Sequence, residues 1–324
     1  MRTRNYGIDI FRILCCIGVL DYHIVDDVIA IPGEGYARII YFLASFCVPG
    51  FFLMSGYLLG EKGDVTVEYC ENKVKAIIVK LSGWIIFWSV IHYIVSGKMY
   101  NILNEVNKGL QGKGVLPVAW FLFTYCILML FAFPFGKLFQ KFPTAFSVTA
   151  VLWVTAVAFG LGRSFSESKP QGLWFHLYAG YFVFGMVWNR FIHWVNTRWN
   201  RKILLAVSGI VCMLSFLIYM LKVTEETYPH QYYGKWYYTI WMVSLLSVTL
   251  FLDIKHEKMQ KLISRLAANT FVVYLGHLPI LIFLTLRYPL QNTWTAVLYV
   301  VLFFAGLEIL AEIFRKMPLL RKIV

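Results

Sequence analysis

The chain is short of charge. Only 15% of its 324 residues are Asp, Glu, Lys or Arg, where about 25% is usual for a soluble domain. Acids are scarcer than bases, 17 against 30. Cysteine is sparse too. Cys15, Cys16, Cys47, Cys70, Cys126 and Cys212 are scattered, mostly inside apolar runs. None of them forms the C-x-x-C pairing of a metal site, and the scatter excludes a secreted disulfide scaffold. No metal is expected. No linker, low-complexity tract or clear internal repeat interrupts the chain, so a separate soluble domain has no place in it.

What the chain has instead is apolar surface. Its hydrophobic fraction is 59% and its mean hydropathy +0.65. A soluble globule of this length could not bury so much without exposing large apolar patches. A disordered chain is excluded by the same figure. Runs long enough to cross a bilayer, each needing about 20 residues, fall at 8–30, 36–60, 76–96, 117–136, 145–162, 173–194, 203–222, 236–254, 269–287 and 293–314. The expectation is an all-α polytopic membrane bundle of about ten helices, forming a single domain over 1–324. The first run carries Asp9, Arg12, Asp21 and His23 and no small-residue cleavage site follows, unlike a signal peptide. In a soluble protein the net charge of +13 would suggest nucleic acid. Here no such partner is expected, because Lys and Arg divide about two to one between alternate connections. That bias predicts both termini in the cytoplasm and a multi-pass protein of the cell membrane, of bacterial type.

In so apolar a chain the ionisable groups inside the runs carry the information. Arg12 and His23 are eleven residues apart. At about 100° per residue they lie on one helix face, about 16 Å apart along the axis. Cys16 and Val19 complete that stripe, and Asp27 follows His23 by one turn. A guanidinium at the cytoplasmic mouth suits a phosphate-bearing donor. An imidazole deeper in the membrane suits general-base work on a hydroxyl or amine. The bland alternative is an arginine that snorkels and a histidine that bonds another helix. Asp9, three residues before Arg12, is its expected charge partner. Glu308 and Glu312 lie one turn apart near the inner end of the last run, and Arg12 or Lys80 is the expected cation.

Other segments offer weaker signals. Pro49, Gly50 and Gly56 interrupt the second run, as a kink or as backbone lining a cavity. Lys73, Lys75 and Lys80 are either a positive-inside flank or a phosphate-binding rim beside Arg12. Between 223 and 238 tyrosines cluster, Tyr232 among them. They fit an interfacial aromatic belt or a sugar-facing pocket.

Several of these pieces together resemble one family. Asp9-Ile10-Phe11-Arg12 with His23 resembles the opening of the membrane acyltransferase-3 family. Val48 to Leu59, VPGFFLMSGYLL, is similar to that family's Pro-x-Phe-Phe-x-x-Ser-Gly segment. The Lys73–Lys80 stretch, Trp120-Phe121-Leu122, and NTFVVYLGH at 269–277 follow in the family's order. Asp21 and Tyr22 stand where the family mostly has apolar residues. The resemblance implies transfer of an acyl group, acetyl being expected, from cytoplasmic acetyl-CoA or another acyl-CoA. The acceptor is a hydroxyl of a cell-envelope or exported carbohydrate. By it His23 is the catalytic candidate, as base or transient acyl carrier. Arg12, with Lys73, Lys75 and Lys80, is the donor-side candidate. Ser55, Tyr57, Trp120, His277 and Tyr232 are candidates for substrate binding. The chain lacks the extracytoplasmic esterase-like domain of some members, so glycan-synthesis machinery is a further expected partner. Two other readings stand beside this one. A transporter, for amino-acid uptake or exopolysaccharide export, fits broken helices and midplane charge. A purely structural partner of a glycan synthase would predict no loss when Arg12 and His23 are replaced.

Overall fold

The structure is a computed structural model that describes residues 4–28, 35–98, 101–111, 113, 116, 118–158, 175–224, 229–287, 293–318 and 320–324. In chain order the helices are α1 (Tyr6–Val28), α2 (Gly35–Ala44), α3 (Cys47–Lys62), α4 (Val67–Ser96), α5 (Ile102–Leu110) and α6 (Ala119–Lys141). Then come α7 (Pro143–Ala158), α8 (Phe175–Asn196), α9 (Arg201–Lys222), α10 (Trp236–Leu250), α11 (Glu257–Arg287) and α12 (Thr293–Lys316). No strand occurs among the described residues. The segments Arg38–Lys62, Val67–Ser96, Ala119–Lys141, Arg201–Lys222 and Val297–Lys316 are long and apolar enough to cross a membrane.

Each expected run contains helix, but three boundaries differ. The outer connection at 97–117 holds a short helix, α5, started by the Asn101 side chain accepting from Asn104 N–H. Helix α4 begins at Val67 and α11 at Glu257, well before their apolar runs. Thr66 caps α4 through Tyr69 N–H, and the residues that follow are charged but helix-favouring. In α11 the early turns place Ile263 and Ala267 against Ile13 of α1. Hydropathy finds a span and misses the helix that extends beyond it. Residues 29–30, 117, 159–162 and 173–174 of the expected runs lie outside the described residues.

The second run is two helices, broken at Ser45 and Phe46. Proline is tolerated in the first turn of a helix because it lacks only a donor. At Pro49 the cost is that the carbonyl four residues back, on Ser45, loses its helical partner. Tyr238 of α10 donates its hydroxyl to that carbonyl at 2.9 Å. The break is therefore repaired across the bundle.

The closest packing is between α3 and α8. A Cβ on Gly56 would overlap the Phe182 carbonyl, and one on Gly185 would overlap that of Leu53. Small residues let two apolar helices approach backbone to backbone where lipid supplies no hydrophobic drive. Against this pair Phe52 stacks on Tyr178 at 4.7 Å between ring centroids. Helices α1 and α11 run side by side in the same direction, since Cys16 meets Thr270 and His23 meets His277 at the same offset of 254 residues.

Candidate functional site

The polar residues of α1 form a column along α11. At its foot, Arg4 Nε donates to Asp9 Oδ2 at 2.6 Å, and Arg12 Nη1 lies 3.7 Å from Asp9 Oδ1. Asp9 is thus shared, and held more closely by Arg4. Burial of Asp9 makes such pairing necessary. The Arg12 side chain stays 30% exposed. Above it Cys16 donates to the Thr270 carbonyl at 3.4 Å. Asp21 is buried on the far side of the helix, with Oδ2 unpartnered. The His23 ring, partly buried, lies 5.2 Å from that of His277. The Asp27 side chain lies outside the described residues.

His277 is completely buried. Its Nδ1 faces the Tyr274 carbonyl at 2.7 Å. A carbonyl only accepts, so Nδ1 carries the proton. Nε2 has no partner. His23 sits where two aromatic chains meet. One runs from Trp120 through Tyr178, Phe52, Phe121 and Tyr274 to His277. The other runs from Tyr232 through Phe42, Tyr41 and Tyr22.

The cationic candidates separate. Lys73 and Lys80 are seven residues apart and share one face of α4, while Lys75 points the other way. The Lys73 ammonium lies 5.7 Å from the centre of the Tyr69 ring, which Lys62 also covers at 3.8 Å. Lys80 donates to the Val324 carbonyl and lies 4.9 Å from the Phe271 ring centre. Lys75 pairs with Glu71 at 3.2 Å on the exposed side. The Arg12 charge acts at Tyr125 of α6, as does the neighbouring Tyr69. Lys62 and Lys73 thus share the Tyr69 ring, and Lys75 lies apart from them.

The acidic pair on α12 is a correction to the expected cation. Glu308 accepts from Asn269 Nδ2 at 2.7 Å, not from Arg12 or Lys80. Glu312 takes Arg265 at 2.8 Å. Helix α12 turns Glu308 inward onto α11, and Lys80 is already engaged at residue 324. Asn269 also donates to Glu312 at 3.1 Å, which makes it the hub of the pair. An amide inside an apolar run is the signal that could have marked it.

The remaining candidates are distributed. Ser55 Oγ returns to the Phe51 carbonyl at 2.7 Å within its own helix. Tyr57 is buried beside Asn189 and Glu61. Tyr232 is buried and donates to the Lys222 carbonyl at 3.0 Å. It packs with Tyr219 and Tyr237, while Trp236 is left exposed. These tyrosines build an aromatic core, and the Tyr219 hydroxyl pairs with Ser45 Oγ at 3.3 Å. A recess of about 320 Å³ opens between the last turns of α3, α6 and α8, lined by Gln140, Asn189, Arg190 and His193. Its position away from the α1–α11 column was not legible in any motif.

A family model described as an acyltransferase domain matches residues 5–311 of the chain. No curated protein and no solved structure matches it. The chain belongs to the membrane acyltransferase-3 family, and its apolar helices make it an integral membrane acyltransferase.

Proposed function

We propose that this acyltransferase moves an acyl group, acetyl in the simplest case, from acyl-CoA to a carbohydrate hydroxyl. The donor binds at the Arg12 end of α1, which faces the cytoplasm, and the acceptor at the His23 end. Both termini lie on the cytoplasmic side of a bacterial inner membrane, with ten crossings between them. The supporting observation is the α1 column, a part-exposed guanidinium at its foot and a part-buried imidazole near its head on one helix.

The donor is a substrate, and its phosphates carry several negative charges. Arg12 and Lys73 offer donors at the mouth, with Lys62 at its rim; Lys80 gives up its Val324 contact to join them. Lys75 takes no part. Arg12 is freer than its neighbour Arg4, because Asp9 is committed chiefly to the latter. The thioester extends along α1 toward His23.

His23 acts as general base. Its ring nitrogen takes the proton of the acceptor hydroxyl while the oxygen attacks the thioester carbonyl. The C–O bond forms and the C–S bond breaks as the intermediate collapses. His23 then returns its proton to the departing thiolate, and the imidazole is neutral again. Trp120 and the aromatic chain behind it offer flat faces for a sugar ring. Envelope or exported glycan is the acceptor class, and the machinery that assembles it is the partner.

The test is reconstitution of the purified protein in liposomes with radiolabelled acetyl-CoA and glycan acceptor on opposite sides. Label should appear in the glycan with wild-type protein and not with His23→Ala. Wild-type transfer by His23→Ala would end this reading. Uptake of a labelled solute with no acyl donor present would replace it with transport.

A further inference from the structure

We propose that His277 is a positioning residue for His23, accepting an N–H hydrogen bond from it at Nε2. This inference rests on the reading of His23 as the base. Three observations lead to it. The His277 ring is wholly buried, and its Nδ1–H is fixed on the Tyr274 carbonyl at 2.7 Å. In the neutral ring the lone pair is then on Nε2, and Nε2 has no hydrogen-bond partner. Leaving a buried acceptor unpaired is costly, and native structures do so where a role requires it.

The third observation is distance. An edge-to-edge N–H···N bond of about 2.9 Å puts two imidazole centroids about 5 Å apart. The His23 and His277 centroids are 5.2 Å apart, with their planes tilted by 41°. The spacing suits the bond, and a turn of the His23 ring alone brings one of its nitrogens toward Nε2 while His277 keeps its bond to Tyr274. The other ring packed on His277, Tyr274, is centred farther away, at 6.1 Å, and its hydroxyl is spent on the Val118 carbonyl at 2.8 Å. His23 is thus the imidazole that can supply the missing donor.

The consequence is a fixed assignment of the two His23 nitrogens. One keeps its proton and donates it to His277. The other carries the lone pair and faces the acceptor hydroxyl. When His23 takes the substrate proton it becomes an imidazolium, and the bond to His277 strengthens because its donor is now charged. No proton moves to His277. It orients the base and steadies the charge that forms on it, as the third member of a nucleophile–base–orienter chain does.

Two substitutions separate this from a packing role. His277→Asn retains a polar atom at the Nδ1 place and can hold Tyr274, but it has nothing at the Nε2 place. His277→Gln places a carbonyl oxygen near Nε2 and gives up the Tyr274 bond. The proposal expects His277→Asn to lower kcat about tenfold or more, with KM for acetyl-CoA unchanged. His277→Gln should recover most of that loss. The rate of His23 modification by diethyl pyrocarbonate, read by peptide mass spectrometry, should fall and recover in the same order. Equal behaviour of the two variants, whether both lose or both retain activity and reactivity, overturns it.

A second measurement needs no variant. Solid-state 15N NMR of histidine-labelled wild-type protein should show a scalar coupling between a His23 nitrogen and His277 Nε2. Its absence overturns the proposal even if both variants fail to fold. If the wild-type protein transfers no acyl group, the function proposed above fails by itself. The NMR and modification experiments still decide the link between the two histidines.

Discussion

Two seams of this bundle are built on opposite rules. The α3–α8 seam is closed by absence of side chain. Gly56 and Gly185 bring backbone against backbone, and Phe52 and Tyr178 seal the edge. The α1–α11 seam is filled with polar groups that are only partly paired. Near it Asn269 Oδ1, His277 Nε2 and Glu308 Oε1 are buried without partners. Unpartnered buried atoms occur at the first seam too, the Tyr178 hydroxyl and Asn189 Nδ2, so what sets it apart is its backbone-to-backbone closure, which fixes the frame. The second seam carries ionisable groups, at a cost that only a rigid frame can carry. The repaired break between α2 and α3 belongs to the frame, because Tyr238 leaves the Ser45 carbonyl satisfied.

The largest effect should come from breaking the frame. Gly56→Leu forces a side chain into the Phe182 carbonyl. We expect no monodisperse protein on size-exclusion in detergent, since neither backbone can yield. A folded and active Gly56→Leu protein would show that the close approach is dispensable. In the other seam His23→Ala should lower acyl transfer by about 10²–10⁴-fold, the usual share of a general base. Its melting temperature should stay near that of the wild type, because His23 is part-exposed.

A smaller effect is expected at the foot of the column. Arg12→Ala should raise the Kd for acyl-CoA about 10–100-fold, the value of a charge-assisted contact of about 1.5–3 kcal/mol. Calorimetry checks it, and unchanged affinity removes Arg12 from the donor site. Tyr238→Phe should cost about 1–3 kcal/mol of stability by orphaning the Ser45 carbonyl. Thermal denaturation should reveal that loss, while kcat per folded molecule holds. Lys75→Ala should do least. Its exposed pair with Glu71 contributes little, and a fall in donor affinity would bring Lys75 back to the mouth.

Much of the helical layout was legible because hydropathy measures the solvent directly. The shortfalls have local causes. Helix α5 is too polar and short to register as a span, and α4 and α11 extend beyond their apolar runs on charged residues. The acidic pair misled for another reason. Two carboxylates near Arg12 and Lys80 in depth suggested an ion pair, but depth leaves rotation about the bundle axis open. Glu308 faces Asn269, 39 residues away in sequence, and Lys80 faces Val324, 244 residues away.

By itself the sequence determined that lipid is the principal solvent, that the exceptions to apolarity matter, and that Arg12 and His23 share a face. That last relation is internal to one helix, and 3.6 residues per turn suffice to give it. Tertiary structure alone decided that Glu308 meets Asn269 and Glu312 meets Arg265, that Lys80 meets Val324, and that His277 comes to lie beside His23. Those contacts join helices far apart in the chain. They depend on how closely and in what rotation the helices pack, and that is fixed by glycine contacts and aromatic layers elsewhere in the bundle.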